Sequence, residues 1–356
     1  MKNTTRLNTL GRGQNILLLY WKTAFATALC ALACSQLGVA QVAPPSILQV
    51  DVANNVLYFE DTSDLSKFAT DPNVTTGALP GKIFTRLFGV ADIVAVNGQS
   101  VMGTHTRTDV NINLRTAPSP GQAISDTMRN AVGVSTFEIL KSDGTPIGTI
   151  VTNGFAGGSA PPGARLTAAA GSNFVITGGT GAFLGARGQI GVATNPPGVV
   201  FARSASMTED AANRRINGGA TQRYVIHLIP MSPPQIVITP SGPAVTHSSD
   251  FSLVTSSNPA AAGGVLSLFA TGLGPTVPAV DPGQPFPSSP LAAVNSPVEV
   301  KVNGKSAEVL GAVGYPGSVE GYQVNFRVPA DTAKGPASIQ LSAAWISGTA
   351  VGIAVQ

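Results

Sequence analysis

"ITGGTGAFLGARGQ", Ile176–Gln189, decides the fold. Read as a dinucleotide-binding turn, its glycines would end a parallel strand and open a helix whose N-terminus holds the pyrophosphate. The chain instead continues as "ARGQIGVATNPPG", where Gly188, Gly191, Pro196 and Pro197 leave no room for that helix and "GQIGVAT" has the character of another strand. No Tyr-x-x-x-Lys pair occurs after it. The stretch therefore reads as a strand-to-strand connection: Phe174 and Ile176 end one strand, Gly178, Gly179 and Gly181 make the turn, and Phe183 returns to the core. No dinucleotide is expected, nor any other cofactor.

Outward from this turn the chain keeps a β character. Charged residues make up 11% of it, glycine and proline are abundant, and no stretch of the mature chain holds a 3.6-residue period for three turns. From Ile47 to Met231, strand-length runs such as "ILQVDVANNVLYFED", "STFEILKSDGTPIGTIV" and "TQRYVIHLI" alternate with turn signals, among them Asp143-Gly144 and Asn217-Gly218-Gly219. About eight strands result, a number that suits a closed antiparallel barrel. Pro230, Pro233 and Pro234 then interrupt any ladder, placing a linker at 232–235. From Ile236 to Gln356 the pattern restarts, with Asn303-Gly304 as its clearest hairpin, and predicts an immunoglobulin-like β-sandwich. So joined, the lobes should fold independently, with Trp345 reporting on the second alone.

Residues 1–40 read as an export signal. Lys2, Arg6, Arg12 and Lys22 precede or flank the apolar "TAFATALCALAC", and Gly38 and Ala40 offer cleavage after Ala40. A second reading takes "ALAC" as an imperfect lipobox with Cys34 lipidated. Either way the protein is expected outside the cytoplasm, secreted or at the cell envelope. Without these residues the chain has 17 basic and 18 acidic side chains and no cysteine. That removes the electrostatic support for a nucleic-acid partner and any thiol chemistry.

Each lobe also carries a family resemblance. Gly178, Gly179, Thr180, Gly181, Phe183, Ala186, Arg187 and Gly188 resemble the Gly-Gly-Thr-Gly-x-Phe-x-x-Ala-Arg-Gly signature of dirigent and allene-oxide-cyclase-like barrels. The likeness implies an eight-stranded barrel with a largely apolar cavity, in a superfamily that steers radical coupling or epoxide cyclisation. The signature is a structural turn, and the family's pocket residues find no match here, so catalysis is not carried over. Asn258-Pro259-Ala260, Thr271-Gly272-Leu273-Gly274-Pro275 and Gly321-Tyr322-Gln323-Val324-Asn325 resemble an immunoglobulin-like module that recurs at the C-terminus of secreted acidobacterial proteins. This likeness implies location and modular use.

Candidate chemistry lies mainly in "HTRTDVNINLR". Alternation puts His105, Arg107, Asp109, Asn111, Asn113 and Arg115 on one face and Val110, Ile112 and Leu114 on the other. If the polar face lined the barrel it could orient a ligand; the ordinary arrangement, and the expectation, is aliphatic residues inside. Arg107 and Arg187 are candidates for the mouth. His227 reads as a rim or core histidine, and three scattered histidines argue against a metal site. Glu209, Asp210, Arg214 and Arg215 read as a solvated turn rather than a cation site. Ser159 lacks the glycine of a nucleophile elbow. The expected function is a binding protein for a small apolar or aromatic molecule, with the second lobe meeting a surface or matrix component and self-association left open. The alternatives are a cyclase- or dirigent-type enzyme and a purely structural or adhesive protein.

Overall fold

The structure is a computed structural model describing residues 46–60, 84–112, 130–156, 173–192, 203–206 and 209–356. Residues 1–40, expected to be an export signal and including Cys34, and also Asn113, Arg115 and Ser159, lie outside these residues.

Ten strands build the first part: β1 (Ser46–Glu60), β2 (Phe84–Val96), β3 (Gln99–Ser100), β4 (Met102–Ile112), β5 (Asn130–Leu140), β6 (Pro146–Ala156), β7 (Asn173–Gly181), β8 (Arg187–Val192), β9 (Arg203–Ser206) and β10 (Ala220–Ile229). The hydrogen-bonded order β1-β2-β4-β5-β6-β7-β8-β10 returns to β1, so eight antiparallel strands close a barrel. Closure leaves those strands no free edge. β3 extends β2, and β9 runs parallel on β1. Closure depends on β1, whose register shifts between Asp51 and Val52 and again between Ala53 and Val56, with Asn54 at a φ of 50°. Bulges of this kind bend a strand and raise its twist, which lets one long strand pair with both neighbours.

The expected all-β class and eight-stranded barrel are thus what the chain forms. Three local expectations are corrected. On β4 the polar face points inward: His105 and Asp109 are buried, Arg107 is largely so, and Val110 is 43% exposed. Room for these side chains comes from glycines on neighbouring strands. Gly89 pairs with Arg107 and Gly133 with Asp109, and a Cβ at Gly133 would fall 1.6 Å from Asp109 Oδ1.

The glycine run, secondly, belongs to β7 itself, and the turn is Ala182–Gly185, with Gly181 and Gly185 at φ of 60° and 70°. A Cβ at Gly179 would stand 2.4 Å from the Phe183 carbonyl and 2.6 Å from that of Thr149, because the turn folds back over the strand. Phe183 is buried, as its place in the turn demands, and the segment after Gly185 is strand β8.

From Gln235 onward a second sheet curls around its own core. Its main path runs through Val265–Thr271, Gly321–Arg327, Lys305–Gly314, Val298–Val302 and Gly335–Ala343. Leu266, Leu268, Val300, Val324, Phe326, Ile339 and Leu341 alternate inward to form that core. The topology establishes a second curled all-β sheet; the immunoglobulin-like assignment rests on the sequence likeness.

The third correction concerns independence. The hairpin tip Ala344-Trp345 leaves the second sheet and packs on the barrel: Ala344 and Ile346 belong to the barrel's core cluster and Trp345 lies against it. Trp345 Nε1 donates to Gln99 Oε1 at 2.6 Å, and Asn295 Nδ2 donates to the Pro146 carbonyl. The lobes share an interface.

Candidate functional site

The barrel interior has two zones. Toward the second sheet it is apolar, filled by Leu48, Val50, Ile93, Ile139, Ile147 and Leu228. Toward the opposite end, where β1, β4, β6 and β8 finish, polar residues enter the same inward rows. Asn55, His105, Asp109, Ser135, Thr152 and Gln222 are all buried. Burial without partners is costly, so the pairing of these groups determines what the zone can do.

Most are paired. Asp109 Oδ2 takes Arg107 Nε at 2.7 Å and Nη2 at 2.5 Å, and the Arg107 guanidinium carbon sits 5.0 Å from the Phe174 ring centroid. One side of the cation is thus neutralised and another stacked on an aromatic face. Asn55 Nδ2 and the Tyr224 hydroxyl both donate to Gln222 Oε1, at 2.6 Å and 3.3 Å. His105 stacks on Phe137 at 4.2 Å between centroids, with Tyr224 at 4.7 Å from it. Since a carbonyl only accepts, the 3.2 Å contact to the Thr136 carbonyl places the proton on Nδ1.

One buried atom of this zone, Asp109 Oδ1, has no partner among the described residues. A cavity of about 20 Å³ is lined by Arg107, the partner of Asp109, together with Ser135, Phe137, Phe174, Ile190 and Tyr224. That is room for about one water-sized group.

The electrostatics disfavour proton transfer. Burial pushes His105 down to about 3, and the Arg107 charge acts in the same direction. Burial likewise pushes Tyr224 up to about 12, against the opposing pull of Arg107. Neither group is poised near neutral pH, where a general acid or base works best.

Of the site residues read from the sequence, His105, Arg107 and Asp109 come together here. Arg187 does not. It is exposed, at the other end of the barrel, and its Nη1 donates to the carbonyls of Thr177 and Ala186, both at 2.9 Å. It braces the turn, alongside Gly178, Gly179, Thr180, Gly181 and Gly188. Thr180 Oγ1 contributes by meeting Thr149 Oγ1 at 2.7 Å. His227 is half-buried on the barrel's outer face. The supposed solvated turn is an ionic brace: Arg214, buried, and Arg215 both bind Asp92, and Arg203 takes Glu209 through two bonds of 2.9 Å and 2.7 Å. Burial opposes ionisation of Asp92, but Arg214 and Asn54 hold it below the usual carboxylate range. Among the described residues no cluster of three His, Cys, Asp or Glu side chains is set to hold a metal.

Sequence reasoning missed Ser135 and Tyr224. Alternation in "TQRYVIHLI" puts Gln222, Tyr224, Ile226 and Leu228 on one face, which was a usable signal for Tyr224. The fold and site define the class as an all-β protein with a closed eight-stranded barrel, a polar barrel end and a second curled sheet. No family model, curated protein or solved structure matches the chain.

Proposed function

We propose that this is a non-catalytic binding protein of the cell exterior whose polar barrel end receives the hydrogen-bonding tip of a small molecule. One observation carries the reading. Asp109 is a fully buried carboxylate with one oxygen held by Arg107, which lines the cavity, and the other without a partner among the described residues. A hydroxyl or amine that reached Oδ1 past Arg107 would satisfy it, with the cavity residues Ser135, Phe137, Phe174 and Tyr224 around an aromatic or apolar body. The small cavity argues against engulfment of a large apolar ligand, and the two displaced titrations argue for binding over acid–base catalysis. Export rests on the order of charge and hydropathy in residues 1–40.

The test uses simple phenols and alcohols as probes of the full chain, with binding read by calorimetry and thermal shift. Binding should be weakened at least tenfold by Asp109→Asn, since a hydrogen bond to a charged group contributes about 1.5–3 kcal/mol. Ser135→Ala, a milder change, should weaken it less. If no probe binds and Asp109→Asn alters only stability, the barrel is a filled strut. The solid apolar half and the docked second sheet favour that structural reading.

A further inference from the structure

A second cleft lies where the two lobes meet. Its volume is about 310 Å³, the lower end of the range for small-molecule sites. The barrel contributes Gln99 from β3 and Lys141 and Asp143 from the β5–β6 turn; the second sheet contributes Ser296, Pro297 and Trp345. None of these belongs to the polar barrel end.

We infer that this seam is a binding site for a neutral sugar ring. Charge is the first ground. Lys141 and Asp143 are of opposite sign and cancel, so the lining selects neither anions nor cations. Asp143 is held ionised by the Thr145 amide, which donates to its Oδ1 at 2.8 Å.

Hydrogen-bonding capacity is the second. An ammonium that only donates, a carboxylate that only accepts and hydroxyls that do both line one small space, and a polyol offers both roles at every hydroxyl. Ser296 is 5% exposed and its Oγ has no partner among the described residues. Ser296 lines the cleft, and an unmade buried hydrogen bond is a standing cost that a ligand reaching it removes.

Trp345 is the third. Its ring N–H is committed to Gln99 at 2.6 Å, which fixes the indole while the ring and Pro297 provide the apolar surface of the cleft. A rigid aromatic face of this kind stacks on the C–H face of a sugar at little entropic cost. Its backbone stands at a φ of 63°, a conformation rare for so large a side chain, and such strain concentrates at binding sites.

The experiment is saturation-transfer NMR and calorimetry on the full chain with D-glucose, D-galactose and N-acetyl-D-glucosamine. At least one should bind, and either Ser296→Ala or Lys141→Ala should weaken it roughly threefold to tenfold, the size of one hydrogen bond. Ser296→Ala removes an unsatisfied group and should fold normally, so a loss of binding there is not a loss of structure. Lys305→Ala, which breaks only the exposed pair with Asp331, should bind like the parent. The inference is overturned if none of the sugars gives a transfer signal. It is equally overturned if both seam variants bind as the parent does, or if acetate or inorganic phosphate binds there more tightly than every sugar.

Discussion

At the scale of single residues, His105 shows how burial sets chemistry. It is closed in by Phe137 and Tyr224 and neutral in the folded state, with its pKa lowered to about 3. The unfolded chain would protonate the same imidazole near pH 6.5. Between those two values the unfolded state binds the extra proton, so this group's effect on stability is constant above the unfolded pKa and turns unfavourable as pH falls below it. The loss runs at up to about 1.4 kcal/mol per pH unit. His105→Phe removes the titration and keeps a ring for the stack. Denaturant unfolding at pH 7 and pH 5 should show a clearly smaller loss in the variant than in the parent. Equal losses would mean that water reaches the imidazole and that the polar zone is solvated.

At the scale of elements, alternation made the strands and their hairpins legible, yet it could not say which face of β4 turns inward. Period-two patterns are symmetric in that respect. What broke the symmetry was the pairing of Arg107 with Gly89 and of Asp109 with Gly133, and register between distant strands is not written in either strand alone. The same holds for "ITGGTG": glycine content announced a close approach, but only the register showed that β7 continues through it while Ala182–Gly185 turns. Gly179 makes the difference testable. Its Cβ would meet two backbone carbonyls: that of Thr149, in the β6–β7 ladder, and that of Phe183, which accepts the Ala186 amide in the turn. Gly179→Val should therefore cost more than about 3 kcal/mol, in the range that marks severe overpacking or strain. Gly178→Ala, where the nearest atom to a Cβ is Arg187 Nη1 at an ordinary van der Waals distance of 3.9 Å, should cost less than about 1 kcal/mol. Paired denaturation curves decide it, and similar losses for both would mean that loop entropy, not close approach, governs the segment.

At the scale of the whole molecule, the prolines between the sheets read as a boundary, and a boundary in sequence says nothing about what the surfaces do in space. The hairpin Ala343–Ile346 makes the point. Its two central residues, Ala344 and Trp345, both have positive φ, at 48° and 63°, in a two-residue turn that ordinarily calls for Asn-Gly. Non-glycine residues in that region cost of order 1–3 kcal/mol each. A free tip would have little to offset this, whereas a docked one gains burial: Ala344 and Ile346 are 1% and 3% exposed within the barrel's cluster. Truncating a buried isoleucine removes about 2–5 kcal/mol, enough to exceed the strain, so the contact should bind the two lobes into one cooperative unit. Ile346→Ala in the full chain then becomes the discriminating change. Hydrogen exchange should show faster exchange at barrel amides near the seam, such as Leu48, Leu228 and Ile147, as well as in the second sheet, and both lobes should still melt in one transition. If the second sheet loosens while the barrel amides keep their protection, the tip rests on the barrel without supporting it, and the seam is too weak a platform for the sugar site placed there.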